Sequence, residues 1–134
     1  MQTQLIHDVS LAAEILRAGG LVAFPTETVF GLGADARSAT AITALFRAKG
    51  RPSDNPLIIH VADITAWSLA ARELTAPAKK ILQAFSPGPV TVVLPKNPAI
   101  CSAATAGLDN VGVLIPAHPL ARQLLEAAGI PIAA

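Results

Sequence analysis

Apolar and polar positions change spacing several times along this chain, and each change marks a new element. Val9, Ala12, Ala13 and Leu16 recur at helical spacing behind Asp8, which can cap a helix, and Gly19-Gly20 ends the run. Residues 21–24 are continuously apolar, which predicts a short buried strand. Residues 25–33 hold a proline, two threonines, a glutamate and two glycines, and read as a loop. From Ser38 the helical period returns with Ile42, Leu45 and Phe46, and stops at Gly50.

Pro52 and Pro56 disfavour helix in the residues before them, so 51–56 is a loop and 57–62 the next strand. Asp63 and Thr75 are candidate caps of two further helices, the second with Ile81, Leu82 and Phe85 facing inward. Pro87-Gly88-Pro89 turns the chain into residues 90–94, a short β-branched run matched by 111–115, and both read as central strands. His118-Pro119 opens a helix that closes at Gly129, and 130–134 begins another strand. Strands alternating with helices, apolar on both faces, predict an α/β sheet covered by helices on at least one side. An apolar final run is also the pattern of a strand heading into a core, so the sheet is expected to continue past Ala134 and to show exposed edges without that continuation.

Composition sharpens this picture. The chain of 134 residues is 52% hydrophobic and 14% charged, which excludes a disordered chain and gives the length of one domain, residues 1–134. No run of about 18 apolar residues escapes a proline, a glycine pair or a charge, and no cationic leader precedes an apolar stretch, so no membrane association is expected and a cytoplasmic protein is. The formal charge of +1 gives no long-range field for nucleic acid. Cys101 is the single cysteine and has neither a disulfide partner nor a metal-ligand cluster, so it reads as a packing residue.

Two loops carry candidate chemistry. In the first, residues 25–33, hydroxyls, a carboxylate and glycines permit close approach to a polar ligand, while a turn held by local hydrogen bonds is the plainer alternative. It lacks the glycine pattern of a dinucleotide site and the lysine of a P-loop. In the second, Arg47, Lys49 and Arg51 cluster at a predicted helix end beside two prolines, where pre-placed charge can hold an anion or simply complement the helix dipole. His60 falls inside a strand. A serine elbow, a metal cluster and a close carboxylate pair are all missing from the sequence, which leaves positioning and charge neutralisation as the catalytic means.

Residues 24–33, then Lys49-Gly50-Arg51-Pro52 through Asn55-Pro56 to His60, then Pro87-Gly88-Pro89-Val90-Thr91, resemble in order and spacing the signatures of the YrdC-like threonylcarbamoyl-AMP synthases. The resemblance implies a YrdC-like α/β fold, a twisted mixed sheet flanked by helices and here incomplete at its C-terminus. It implies an enzyme that joins L-threonine, bicarbonate and ATP, with magnesium, into threonylcarbamoyl-AMP and pyrophosphate, for later transfer to a tRNA adenosine by partner proteins of tRNA modification. Lys49 and Arg51 would be the Lys-x-Arg catalytic pair at the phosphates, Asn55 and Asn110 further ATP contacts, and Thr28, His60 and Ala134 the threonine contacts. No protein metal site is implied.

The sequence departs from the family pattern at Leu114, where an arginine of a Val-x-Val-Arg-x-Pro strand would clamp the threonine carboxylate, and at Phe30, where many members have tyrosine. A Pro-Ser-x-Asn segment that completes the ATP site would follow Ala134. The alternatives are an inactive fragment, a module binding tRNA or double-stranded RNA, and the related domain of a hydrogenase-maturation protein.

Overall fold

The protein was described as a computed structural model covering residues 3–27, 29–52 and 54–134. Asp8 accepts the N–H of Ser10 at 2.9 Å and caps α1 (Val9–Arg17), whose Ala12, Ala13 and Leu16 are buried as their spacing requires. Next come β1 (Val22–Pro25) and β2 (Phe30–Asp35), which pair antiparallel from Val22↔Gly33 to Pro25↔Phe30. Half of the expected loop 25–33 is therefore strand. Its glycines suggested a turn, but Gly33 sits where a Cβ would come within 2.8 Å of both the Phe24 ring and Ile132 Cγ2, so glycine is needed for packing within the sheet.

Ser38 accepts the Ala41 N–H at 3.1 Å at the start of α2 (Ala39–Lys49), and Gly50, in the left-handed region at φ 64°, ends it. Then follows β3 (Ile58–His60). Asp63 caps only a 3-10 helix, Ile64–Leu69, with no buried residue, rather than a full α-helix. After Thr75, α3 (Ala76–Phe85) buries Ala78 and Leu82, but Ile81 is 40% and Phe85 65% exposed. Those two were expected inward. The helix lies along an edge strand, β4 (Thr91–Pro95), which covers only a narrow stripe of it. The remaining elements are β5 (Asn110–Leu114), α4 (Pro119–Ala128) and β6 (Ile132–Ala133).

The six strands form one mixed sheet in the order β1-β2-β6-β3-β5-β4, with β3 and β5 parallel and the other neighbours antiparallel. Of the two runs expected at the centre, β5 is interior and β4 is an edge. The apolar final run expected to begin a strand does so as β6, which lies between β2 and β3, is paired on both sides and has both its residues buried.

Register assigns the faces. Ala34, Ala133, Ile59, Val113 and Val92 form one row across the sheet, all buried beneath α2 and α3. The opposite face is covered by α1 and α4 over Val22, Phe24 and Ile132. Toward β5 and β4 that second face lies open, with Ile58 36% and Val93 70% exposed. Apolar residues on both faces thus mark burial over half of the sheet and an open floor over the rest.

Candidate functional site

β3 is the axis of the candidate site. His60 lies opposite Ile132 of β6 on one side and Leu114 of β5 on the other. One step away, Ile58 lies opposite Gly112, and Ala134 exchanges backbone hydrogen bonds of 3.1 and 3.2 Å with Ile58. Because side chains alternate along a strand, Ile58, His60, Asn110, Gly112 and Leu114 share the second face with Ala134. Three expected contacts, His60, Ala134 and Asn110, therefore border one surface.

His60 stands at the margin where the α1–α4 layer gives way to the open floor, and is 8% exposed. Its Nδ1 lies 3.1 Å from the Ile58 carbonyl, which can only accept, so in the neutral ring the proton belongs on Nδ1 and Nε2 keeps its lone pair. The His60 and Phe24 rings pack in a T-shaped arrangement, at a centroid distance of 6.2 Å and an interplanar angle of 79°. Burial pushes the His60 pKa below the usual histidine value. The Ile58 and Ile132 carbonyls and the charge of Glu27 oppose that shift, and the charge of Lys49 adds to it.

The cations come from α2. Gly50 returns its N–H to Arg47 and Phe46, and the Arg51 N–H reaches the Phe46 carbonyl at 3.2 Å, so Lys49 and Arg51 leave the helix end on a fixed path. Arg51 Nη2 donates to the Pro56 carbonyl at 2.9 Å, while its buried Nε has no partner among the described residues. Lys49 is pushed below the usual lysine value chiefly by partial burial, with the charge of Arg51 adding to the shift. Their loop continues through Asn55, whose N–H bonds to the Pro52 carbonyl at 3.2 Å, into β3. The loop thus brings two cations to the strand that carries the imidazole.

On the other flank is the turn joining β1 to β2. The Thr26 N–H bonds to the Val29 carbonyl at 3.1 Å, and Glu27 reaches across to the Ala117 and His118 N–H groups. Thr28 lies outside the described residues. Sequence reasoning took Glu27 as one polar group among several, read Gly33 as a loop glycine and met Phe24 only as part of a short strand and of the family signature, so the packing of these two was missed. Only the apolar character of residue 24 just before the loop hinted at them.

Leu114 occupies the floor beside His60 and supplies no charge there. Among the described residues no three His, Cys, Asp or Glu side chains gather as a metal site, and no helix is long and apolar enough to cross a membrane.

The chain is 48% identical over 126 residues to the threonylcarbamoyl-AMP synthase of Pyrococcus abyssi, covering 94% of this chain and 37% of that one. It is 47% identical over 131 residues to the enzyme of the same name from Bacillus subtilis, again 94% of this chain and 37% of the relative. It thus spans well under half the length of these two relatives. A crystal structure of P. abyssi Sua5 complexed with L-threonine superposes with a TM-score of 0.89 at 48% identity, over 94% of this chain and 37% of that one. The Sua5/YciO/YrdC family model, described as telomere recombination, matches residues 14–134. On that match, over most of its length, the chain belongs to the Sua5/YciO/YrdC family.

Proposed function

We propose that this chain carries the substrate-binding part of a threonylcarbamoyl-AMP synthase, an L-threonylcarbamoyladenylate-forming nucleotidyltransferase. The observation that carries the reading is that the loop bearing Lys49 and Arg51, pinned by the Arg51–Pro56 bond, runs directly into β3, whose buried His60 stands at the margin of an open sheet floor. A phosphate-holding pair adjoins a site for an uncharged polar contact. The named relatives and the threonine-bound structure of one of them support the same chemistry.

In this reaction the threonine amine takes up bicarbonate with loss of water, and the resulting carbamate oxygen attacks the α-phosphorus of ATP. The bond from that phosphorus to the bridging oxygen breaks, and pyrophosphate leaves with the electron pair. Negative charge grows on the phosphate oxygens, where Lys49 and Arg51 neutralise it without a covalent intermediate. Asn55 and Asn110 add ATP contacts from the N-terminal ends of β3 and β5, and Thr28, His60 and Ala134 hold threonine. The partnerless Arg51 Nε is a donor that a phosphate oxygen would satisfy.

Magnesium would enter on the phosphates of ATP, since magnesium commonly keeps its waters and binds through substrate phosphates. The product's threonylcarbamoyl group would then pass to a tRNA adenosine with AMP as the leaving group, which makes tRNA and the proteins of that modification the downstream partners. The test is pyrophosphate release from ATP and magnesium with threonine and bicarbonate supplied singly and together. Release that needs both is expected; release indifferent to threonine would overturn the reading.

A further inference from the structure

Glu27 Oε1 accepts the N–H of Ala117 at 2.7 Å and of His118 at 2.9 Å, across 90 and 91 residues of sequence. These donors stand just before α4, whose first helical residue is a proline without an N–H and whose Leu120 N–H is taken by His118 Nδ1 at 3.1 Å. The carboxylate therefore pairs with two otherwise free donors at the positive end of the α4 dipole.

The other side-chain bonds of this turn among the described residues are local: the Val29 N–H reaches Thr26 Oγ1 at 3.3 Å, and Thr26 Oγ1 in turn donates to the Val29 carbonyl. Among the described residues, Glu27 is the side chain that ties the turn to a distant element. The anchor is itself fixed, because Ala117 and His118 follow the end of β5, where the Ile115 carbonyl holds the Gly88 N–H at 2.9 Å. The strand that ends there also sets Leu114 beside His60. Phe24, in β1 just before the turn, packs against the His60 ring at a centroid distance of 6.2 Å, which sets the latched turn beside the imidazole.

We propose that Glu27 is a positioning residue for threonine: its carboxylate latches the β1–β2 turn, which carries Thr28, to the junction of β5 and α4, and so registers that turn against His60. This role rests on the threonine reading above. It calls for an acceptor of two N–H groups at this reach, which glutamine also provides and alanine does not.

Threonine and ATP are titrated by calorimetry into the wild-type chain, Glu27→Ala and Glu27→Gln, each shown to melt cooperatively, and amide exchange at Ala117 and His118 is followed by NMR. In Glu27→Ala, threonine binding should weaken at least about tenfold, ATP binding change less than about threefold, and both amides exchange about tenfold faster. Glu27→Gln should restore threonine affinity to within about threefold of wild type. Undiminished threonine affinity in Glu27→Ala would overturn the proposal, and so would equal weakening for both ligands, which would mark a general loss of structure. A wild-type chain that protects both amides yet binds no threonine would overturn the threonine reading and this role with it, while leaving the latch itself in place.

Discussion

The Phe24 ring packs T-shaped against His60 at a centroid distance of 6.2 Å, and it can stand there because residue 33, on the neighbouring strand, has no side chain. A Cβ at Gly33 would come within 2.8 Å of a Phe24 ring carbon, whereas one at Gly31 would meet nothing closer than 3.6 Å. The two glycines of one short motif therefore do different work. Gly33→Ala should destabilise the chain by about 1–3 kcal/mol through overpacking, and Gly31→Ala by less than about 1 kcal/mol. Urea unfolding of both variants measures this, and equal costs would show that the Phe24–His60 contact does not depend on position 33.

Buried and neutral, His60 makes stability depend on pH. Its folded pKa lies below its unfolded value near 6.5, so the unfolded chain binds the extra proton first as pH falls. The contribution is fully present above about pH 6.5 and is lost progressively from there down to the folded pKa. His60→Gln should flatten the stability profile below about pH 6.5, as read by denaturant titrations at stepped pH. A profile with unchanged slope in the variant would assign the loss to other groups.

Lys49 and Arg51 should separate in stability yet agree in chemistry. Arg51 braces the loop through the Pro56 carbonyl, so Arg51→Ala should lower the melting temperature, while the exposed Lys49 should be replaceable by alanine within about 0.5 kcal/mol. Either change should remove about 2–4 kcal/mol of transition-state stabilisation from adenylate formation, measured as kcat/KM for ATP. Rates within about threefold of wild type in both variants would take the phosphates away from this loop.

Leu114 puts an apolar side chain on the floor beside His60, where the family resemblance leads one to expect an arginine. With Leu114→Arg, threonine binding should tighten by about 1.5–3 kcal/mol, the scale of a hydrogen bond between charged partners, provided by the bidentate clamp on its carboxylate. Calorimetry decides it: equal affinity would mean that another group holds the carboxylate.

How far the sequence could be read depended on whether a signal was local. The Asp8 and Ser38 caps and the Gly50 and Gly129 stops were legible because capping chemistry acts within one turn of helix. The Lys49–Arg51 pair was visible as a charge cluster, and its use came from the family resemblance. What stayed hidden was set by register and by distant partners. Strand β2 was taken for loop because the reason for Gly33 lies in Phe24 and Ile132, and β4 was placed at the centre because a β-branched run reads the same in an interior strand or at an edge. Ile81 and Phe85 have inward spacing yet face solvent, since periodicity tells which residues share a stripe and not how much of it a neighbour covers. The Glu27 bonds to Ala117 and His118 join residues with no pattern in common.

The insertion of β6 between β2 and β3 also dictates an order of assembly. During synthesis the β1–β2 hairpin can form from neighbours in the chain, but β2 and β3 have no strand to join them until Ile132 and Ala133 have emerged. Every earlier intermediate carries two unpaired strand borders facing a gap, the kind of surface on which other chains dock and chaperones act. Sheet closure thus becomes a single late event spanning distant parts of the chain, which places it among the slower topologies to fold.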